Sequence, residues 1–258
     1  MKIFVCIKQV PDTETKIKIG ADKASIDSTG VKWVVNPYDE FAIEEAVKQK
    51  EANVGSTVTV FCLGPKKRTA DAARTALAMG ADEGVLIDAP ETVDAFTTAK
   101  ALASAIKAEG GCDLLLTGKL AIDDNQSAVS QMVAEFLNIP HTGVVAKMTV
   151  AGNKVTAERE VEGGTKEVVE MTGPSLIAAN KGLNMPRYAS LPGIMKAKKK
   201  ILKELDLVGL GIAADSQKTK FINMSLPPEK PPVKILQGEN AQKVSELVRL
   251  LRDEAKVL

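Results

Sequence analysis

Short apolar runs alternate, along the first half of the chain, with stretches in which apolar residues recur at helical spacing. The runs cover residues 3–7, 57–63, 85–87 and 114–117. Strands that alternate with helices in this way indicate a mostly parallel sheet with helices on both faces. The pattern therefore predicts an α/β fold, a doubly wound sheet of the Rossmann-like kind.

The helices between these runs have recognisable ends. They are expected over residues 36–52, 67–79, 94–109 and 126–138. Asn36 is expected to cap the first helix, with Pro37 at its first position. Gly80 is expected to close the second helix in the left-handed conformation, Gly110 to stop the third, and Pro140 to end the fourth.

The pattern changes after residue 141, where polar and apolar residues alternate in period two. This alternation covers residues 144–150, 154–161 and 166–171, with glycine-containing turns between them. It predicts an antiparallel meander appended to the parallel sheet. Residues 176–179 are expected to form one more core strand.

The last part of the chain shows little periodicity. Glycines, prolines and lysines interrupt every pattern from Leu183 until Glu239, where an amphipathic stripe predicts a terminal helix. Two Pro-Pro pairs make the segment before that helix stiff and extended, so it cannot join a central strand. Such an arm commonly wraps a partner, and a tail packed on its own domain is the alternative.

The composition narrows the class of protein. The 258 residues are 45% hydrophobic and carry a formal net charge of +1, which gives no basic field for nucleic acid. The three cysteines are widely separated and form neither a disulfide framework nor a metal site, so a reducing cytoplasm is expected. No targeting segment and no apolar stretch of membrane-spanning length is present in the sequence, so no membrane insertion is expected.

The most informative strand end is that of the run 114–117, which is followed by residues 118–127. In a parallel sheet, ligands bind beyond the carboxyl ends of strands and near helix N-termini. The backbone N–H groups of residues 126–129 could hold a phosphate, and Asp123 or Asp124 could accept from a ribose hydroxyl or an adenine amine. Alternatively, these aspartates only cap the helix. The glycine motifs of kinases, ATPases and nicotinamide-dependent dehydrogenases are absent, and His141 is expected to be a turn or packing residue.

A motif in the meander resembles a known signature. It reads Arg159-x-x-Glu162-Gly163-Gly164-x-x-Glu167-x-Val169, followed by Pro174-x-Leu176-Ile177-Ala178. This pattern resembles the signature of the beta (small) subunit of electron-transfer flavoproteins. Further blocks in family order cover nearly the whole chain, at residues 5–10, 36–46, 76–82, 118–123 and 186–200.

The resemblance implies a heterodimer in which an alpha subunit holds most of a redox-active FAD. The beta subunit would bind a structural AMP in an adenine-nucleotide-binding fold, with Thr13 and Tyr38 near the alpha-subunit FAD. Carried over by position, the AMP pocket comprises Cys6, Asn36, Leu63, Gly64, Ala121, Asp124, Asn125, Gln126, Ser127, Ala128 and Val129. The implied organisation is a nucleotide-binding domain over 1–182 with the meander at about 144–171, a recognition loop and basic segment over 183–200, and a C-terminal arm and helix over 201–258 that wraps the alpha subunit.

The resemblance also implies partners. Leu191 alone suits either docking into a hydrophobic pocket or burial on its own domain; the resemblance favours docking on acyl-CoA dehydrogenase-type flavoenzymes, together with Pro192, Ile194 and Met195. The implied function is an electron carrier, rather than an enzyme, that passes electrons on to a membrane quinone oxidoreductase. The alternative is an electron-bifurcating, NADH-oxidising flavoprotein with a second FAD in this subunit. Asn125, Ala128 and Ser130 depart from the family pattern and argue against that alternative.

Overall fold

The computed structural model describes residues 1–213 and 215–258 and has a mixed sheet at its centre. The strands are β1 (Lys2–Ile7), β2 (Gln9–Pro11), β3 (Trp33–Val35), β4 (Thr57–Gly64), β5 (Glu83–Asp88), β6 (Leu114–Gly118), β7 (His141–Ala151), β8 (Lys154–Glu160), β9 (Lys166–Thr172), β10 (Ser175–Ala179) and β11 (Leu202–Asp206). The helices are α1 (Pro37–Ala52), α2 (Lys66–Met79), α3 (Ala95–Ala108), α4 (Val129–Leu137), α5 (Leu191–Lys199) and α6 (Asn240–Arg249).

The main sheet has nine strands in the order β11-β5-β4-β1-β6-β10-β7-β8-β9. The pairs from β11 to β7 are parallel, whereas β8 pairs antiparallel with β7 and with β9. The predicted α/β class, the parallel sheet and the appended meander are confirmed. A small antiparallel sheet of β2 and β3, which the sequence pattern did not predict, lies beside it.

The core lies on both faces of the central parallel strands, because β1, β4, β6 and β10 are mainly apolar and buried. On one face, β1 and β4 pack against α1 and α2 through residues such as Val5 and Ile43. On the other face, Phe4 and Phe61 pack against α3 and α4, with ring centroids 4.9 Å apart. A strand that is buried on both faces has a nearly continuous apolar sequence. The sequence pattern could therefore predict these strands.

The first three helices match the predicted ranges within one residue at each end. Gly80 closes α2 with φ +134°, and Asp94 caps α3 by accepting from Thr97 N–H. The predicted start of α4 is wrong, since the helix begins at Val129 and not at Gln126. The expectation that regular patterns stop between Leu183 and Glu239 is also wrong, because α5 and β11 lie there.

The chain divides into two units, Met1–Met224 and Ser225–Leu258. The second unit contains α6, which starts with a capping box between Glu239 and Gln242, and a π-helical turn over Leu250–Glu254. The terminal helix is thus confirmed, and Val244, Leu247 and Val248 of its apolar stripe are exposed. None of the helices in residues 1–213 and 215–258 is long and apolar enough to cross a membrane.

Candidate functional site

The predicted nucleotide residues lie at and beyond the carboxyl ends of β1, β4 and β6. Cys6 and Gly64 are buried near the ends of β1 and β4, and Leu63 is half-buried. Burial raises the pKa of the Cys6 thiol far above its ordinary value, so it packs as an apolar group and is no nucleophile. Ala121 lies in the loop that follows β6.

Asn36 connects the start of α1 to that loop. Its side-chain amide donates to Leu120 O at 2.8 Å and accepts from Ile122 N–H at 3.2 Å. The same amide donates to Asp39 Oδ1 at 3.0 Å. The predicted side-chain cap is therefore wrong: Asn36 stands at the cap position, but its side chain makes no capping hydrogen bond and instead holds the loop.

Asp39, which the sequence reasoning did not single out, lies at the centre of this network. Its carboxylate accepts from Lys8 N–H at 2.7 Å and from Gly118 N–H at 3.0 Å, which connects the ends of β1 and β6 to α1. Burial raises the pKa of the Asp39 carboxyl to about 7, against the lowering effect of its N–H donors. Gly118 is required at this point, because a Cβ there would lie 2.8 Å from the backbone carbon of Tyr38.

Asp123 and Asp124 form ion pairs with a lysine and do not cap α4. Lys8 Nζ lies 2.8 Å from Asp123 Oδ1 and 3.0 Å from Asp124 Oδ2. Asp124 Oδ1 also accepts from Gln126 N–H at 3.1 Å. The capping alternative is thus wrong. Lys8 offsets one of the two negative charges of the aspartates, and Asp124 is further stabilised by the loop's own backbone.

The residues from Asn125 to Ala128 form a bent loop. The prediction that the helix already includes residues 126–128 is wrong. Asn125 and Ser127 have φ of +52° and +50°, in the left-handed region, so α4 starts three residues later than its pattern suggests. The N–H of Gln126 is occupied, but those of Ser127, Ala128 and Val129 donate to no acceptor among the described residues. Three adjacent free N–H groups are suited to an anion.

Two further polar groups lie near these strand ends. Gln9 follows β1 and is buried, and its Oε1 has no hydrogen-bond partner among the described residues. Ser130 at the start of α4 is hydrogen-bonded to Thr117 at 2.8 Å. The described residues contain no cluster of side chains suited to a metal ion.

Tyr38 and Thr13 lie outside this network. Tyr38 is half-buried in the first turn of α1, and Lys119 Nζ lies 4.8 Å from the centre of its ring. Thr13 is exposed in the turn after β2, and its hydroxyl is hydrogen-bonded to Asp12. Neither contact tests the expected nearness of these residues to a flavin.

The residues expected to form a recognition loop begin a helix. Ser190 caps α5 by accepting from Gly193 N–H at 3.1 Å, and Pro192 lies in its first turn. Leu191 is 79% exposed and Met195 is 60% exposed. The side chains at 191, 192, 194 and 195 are all exposed, so the first turns of α5 present an apolar surface.

The stretch from 184 to 200, here called the α5 segment, is fixed to α1 and α2. Arg187 makes one backbone and four guanidinium hydrogen bonds to Glu44 and Glu51 of α1. Arg74 of α2 donates to two carbonyl groups at the C-terminal end of α5. The sequence reasoning missed Arg187, because its partners lie more than 130 positions away and nothing local marks the pair.

Comparison with known proteins covers the whole chain. A family model described as "Electron transfer flavoprotein domain" matches residues 24–208. The protein named "Electron transfer flavoprotein subunit beta" from Bacillus subtilis (strain 168) is 44% identical over 263 residues, covering 100% of both chains. Proteins of the same name from Syntrophomonas wolfei and Homo sapiens are 40% and 35% identical, covering 100% of this chain and 98% and 99% of theirs.

Proposed function

The chain belongs to the electron transfer flavoprotein family as a beta subunit, and from this premise we propose that it is one half of an electron carrier. It pairs with an alpha subunit that holds most of an FAD, binds AMP itself, and docks the flavoenzymes that supply electrons. The observation that carries this proposal is the apolar start of α5, exposed and yet fixed to the body of the domain.

The AMP proposal rests on the donors around the loop after β6. The free N–H groups of Ser127, Ala128 and Val129 suit a phosphate oxygen, and the left-handed backbone at Asn125 turns the loop. Asn36 fixes the loop through hydrogen bonds to the loop backbone, so the loop needs no bound nucleotide to hold its shape. Buried Gln9 Oε1 is an unused acceptor near the end of β1, and an adenine amine is a matching donor. The residues therefore fit an adenylate, whose role is structural.

The docking proposal rests on a preformed surface. Leu191 and Met195 extend into solvent from a helix whose start packs against α2, where a Cβ at Gly193 would lie 2.5 Å from Ala78 O. A leucine of this exposure contributes about 1.5–3 kcal/mol when a partner buries it. We therefore assign Leu191, with Pro192, Ile194 and Met195, as the anchor for acyl-CoA dehydrogenase-type flavoenzymes.

The chain's own part in electron transfer is positioning. FAD, held mainly by the alpha subunit, supplies the electron storage when bound, and Thr13 and Tyr38 form a wall beside it. A small, mainly apolar anchor gives weak and reversible docking, which a carrier needs if it is to leave one partner for the next. Electrons would pass to a membrane quinone oxidoreductase. We propose that this electron transfer takes place in the cytoplasm and that this subunit is not inserted into the membrane.

Replacing Leu191 with alanine tests the docking proposal in the complete heterodimer. The KM of an acyl-CoA dehydrogenase for the carrier should rise by about tenfold, because the lost burial is worth about 1.4 kcal/mol or more. The flavin content should not change. Val54→Ala is a matched control, since Val54 is a fully exposed apolar residue on the turn after α1. Equal KM values for both variants and the wild type would contradict the anchor role.

Identifying the nucleotides released on denaturation tests the cofactor assignment. One FAD and one AMP per heterodimer are expected. Two FAD and no AMP would instead indicate the electron-bifurcating alternative, and the anchor result would still stand. A heterodimer without nucleotide in this subunit would contradict the AMP proposal alone.

A further inference from the structure

Lys119 and Tyr38 form a cation–π pair between the end of β6 and the first turn of α1. Lys119 Nζ lies 4.8 Å from the centre of the Tyr38 ring. At this distance, the negative face of a tyrosine ring attracts a cation. Both side chains are half-buried, so each keeps part of its surface free for contact with another molecule. Neither residue was assigned to the AMP pocket.

The backbone that carries this pair is fixed within the chain. Lys119 N–H donates to Ala179 O at 2.9 Å, and Lys119 O accepts from the Ser127 hydroxyl at 2.9 Å. Gly118 packs closely on Tyr38, since a Cβ at Gly118 would lie 2.8 Å from the Tyr38 Cβ. The fold therefore sets the positions of both residues before any partner binds.

The ammonium group of Lys119 has no anionic partner among the described residues. No carboxylate oxygen of residues 1–213 and 215–258 lies within 4.0 Å of Lys119 Nζ. The two aspartates of the same loop, Asp123 and Asp124, are paired with Lys8 instead. A half-buried charge is screened less by salt than a charge in open solvent. An uncompensated positive charge thus lies on the Tyr38 ring.

The proposed function puts Tyr38 beside the FAD of the alpha subunit, and the present inference rests on that part of it. The pair offers an aromatic ring, which suits contact with a planar ring system, and a positive charge, which suits a group that becomes anionic. A flavin that takes up two electrons and one proton gains one negative charge. A positive charge near the flavin therefore stabilises its reduced form.

We propose that Lys119, held on the Tyr38 ring, raises the reduction potential of the alpha-subunit FAD. A unit charge that acts over roughly 10 Å at an effective dielectric constant of about 20 shifts an equilibrium about tenfold. For a two-electron couple, a tenfold change corresponds to about 30 mV. The electrons come from the flavoenzyme that docks on this subunit, so a higher potential favours their transfer to the carrier.

Reductive titration of the complete heterodimer tests this proposal. Dithionite supplies the electrons, a dye of known potential reports the equilibrium, and flavin absorption gives the reduced fraction of FAD. Lys119→Gln removes the charge, Lys119→Arg preserves it, and Tyr38→Leu removes the ring. Lys100→Gln is the matched control, because Lys100 is also a half-buried lysine without an ion pair in the described part of the chain. It lies on α3, across the sheet from α1.

Lys119→Gln should lower the potential by about 30 mV, a tenfold change in the ratio of reduced to oxidised FAD. Lys119→Arg and Lys100→Gln should change this ratio less than about twofold, because the first keeps the charge and the second removes a distant one. Tyr38→Leu should change the absorption spectrum of the oxidised flavin. The FAD content and thermal melting of each variant show whether the heterodimer is intact, and Lys119→Met replaces Lys119→Gln if the latter does not assemble.

The two variants separate this inference from the proposed function. If Tyr38→Leu changes the flavin spectrum while the uncharged Lys119 variant and Lys100→Gln have the same potential, the role of Lys119 is overturned and the place of Tyr38 stands. If Tyr38→Leu leaves the spectrum unchanged, the place of Tyr38 beside the flavin is contradicted, and the action of Lys119 through the ring fails with it.

Discussion

Replacing Arg187 with methionine should release the α5 segment from α1. Arg187 connects this segment to Glu44, which is 5% exposed, and to Glu51, which lies at the surface. Methionine preserves the apolar stem of the side chain and removes only the guanidinium. The change would leave Glu44 as a buried carboxylate whose strongest donors are lost.

The magnitude follows from the degree of burial. Removing one partner of a fully buried ion pair costs about 3–5 kcal/mol. The Arg187 side chain is 36% exposed, so water can partly replace it, and we expect about 2 kcal/mol. Since about 1.4 kcal/mol is a factor of ten, local opening of the segment should become about 30-fold more frequent.

Hydrogen exchange followed by mass spectrometry measures this opening directly. Amides of residues 184–200 should exchange about 30-fold faster in Arg187→Met, and those of β1 should not change. Lys154→Met is the control, because it breaks an exposed pair with Glu170 on the meander and should have less than about a threefold effect. The reasoning is refuted if exchange over 184–200 is the same in both variants.

Two further predictions concern the hydrogen-bond network of Asp39 beneath the loop that follows β6. Gly118→Ala should destabilise the protein by about 1–3 kcal/mol, because its Cβ would meet the Tyr38 backbone, whereas Gly143→Ala, with its nearest atom at 3.7 Å, should be nearly neutral by chemical denaturation. Burial raises the pKa of Asp39 from 3.8 to about 7. Between these two pH values, the folded state therefore binds one proton at Asp39 that the unfolded state does not bind. The free energy of unfolding should therefore fall as the pH rises from about 4 to about 7 and level off above, a slope that Asp39→Asn should reduce in pH-dependent denaturation. An unchanged slope in Asp39→Asn would assign it to other groups.

The parts of the fold that the sequence predicts well are those with local causes. α1 begins where Pro37 fixes φ at the first helical position, although Asn36 makes no side-chain cap, and the central strands β1, β4, β6 and β10 are mainly apolar because both of their faces are buried. α5 was missed although Ser190 and Pro192 are ordinary start signals. Gly193 and the lysines suggested a loop, but Gly193 is there because it allows close approach to Ala78 of α2. That contact is between residues far apart in the sequence, so it produces no periodic pattern of apolar residues from which the helix could be predicted.

The residues predicted to bind a nucleotide lie together at the strand ends, but their contacts with one another were not predicted. Asp123 and Asp124 were expected to face a nucleotide or a helix, and they face Lys8, which is more than 110 positions away. The start of α4 is delayed because Asp124 captures the N–H of Gln126 and bends the loop. β11 was missed because it lies at the edge of the sheet, where β5 is the one strand that pairs with it among the described residues.

One helix joins the two regions to which we have assigned a function, the proposed nucleotide site and the proposed docking surface. The first turn of α1 carries Asp39, and its later turns carry Glu44 and Glu51, which bind Arg187 of the α5 segment. Twelve residues of helix separate Asp39 from Glu51, or about 18 Å at about 1.5 Å per residue. The carboxylate of Asp39 accepts its hydrogen bonds from groups of this chain, namely Lys8, Asn36 and Gly118. The first turn of α1 is therefore fixed without a bound nucleotide. We therefore expect the proposed docking surface to be formed before any nucleotide binds, so that Leu191 would dock as part of a rigid surface.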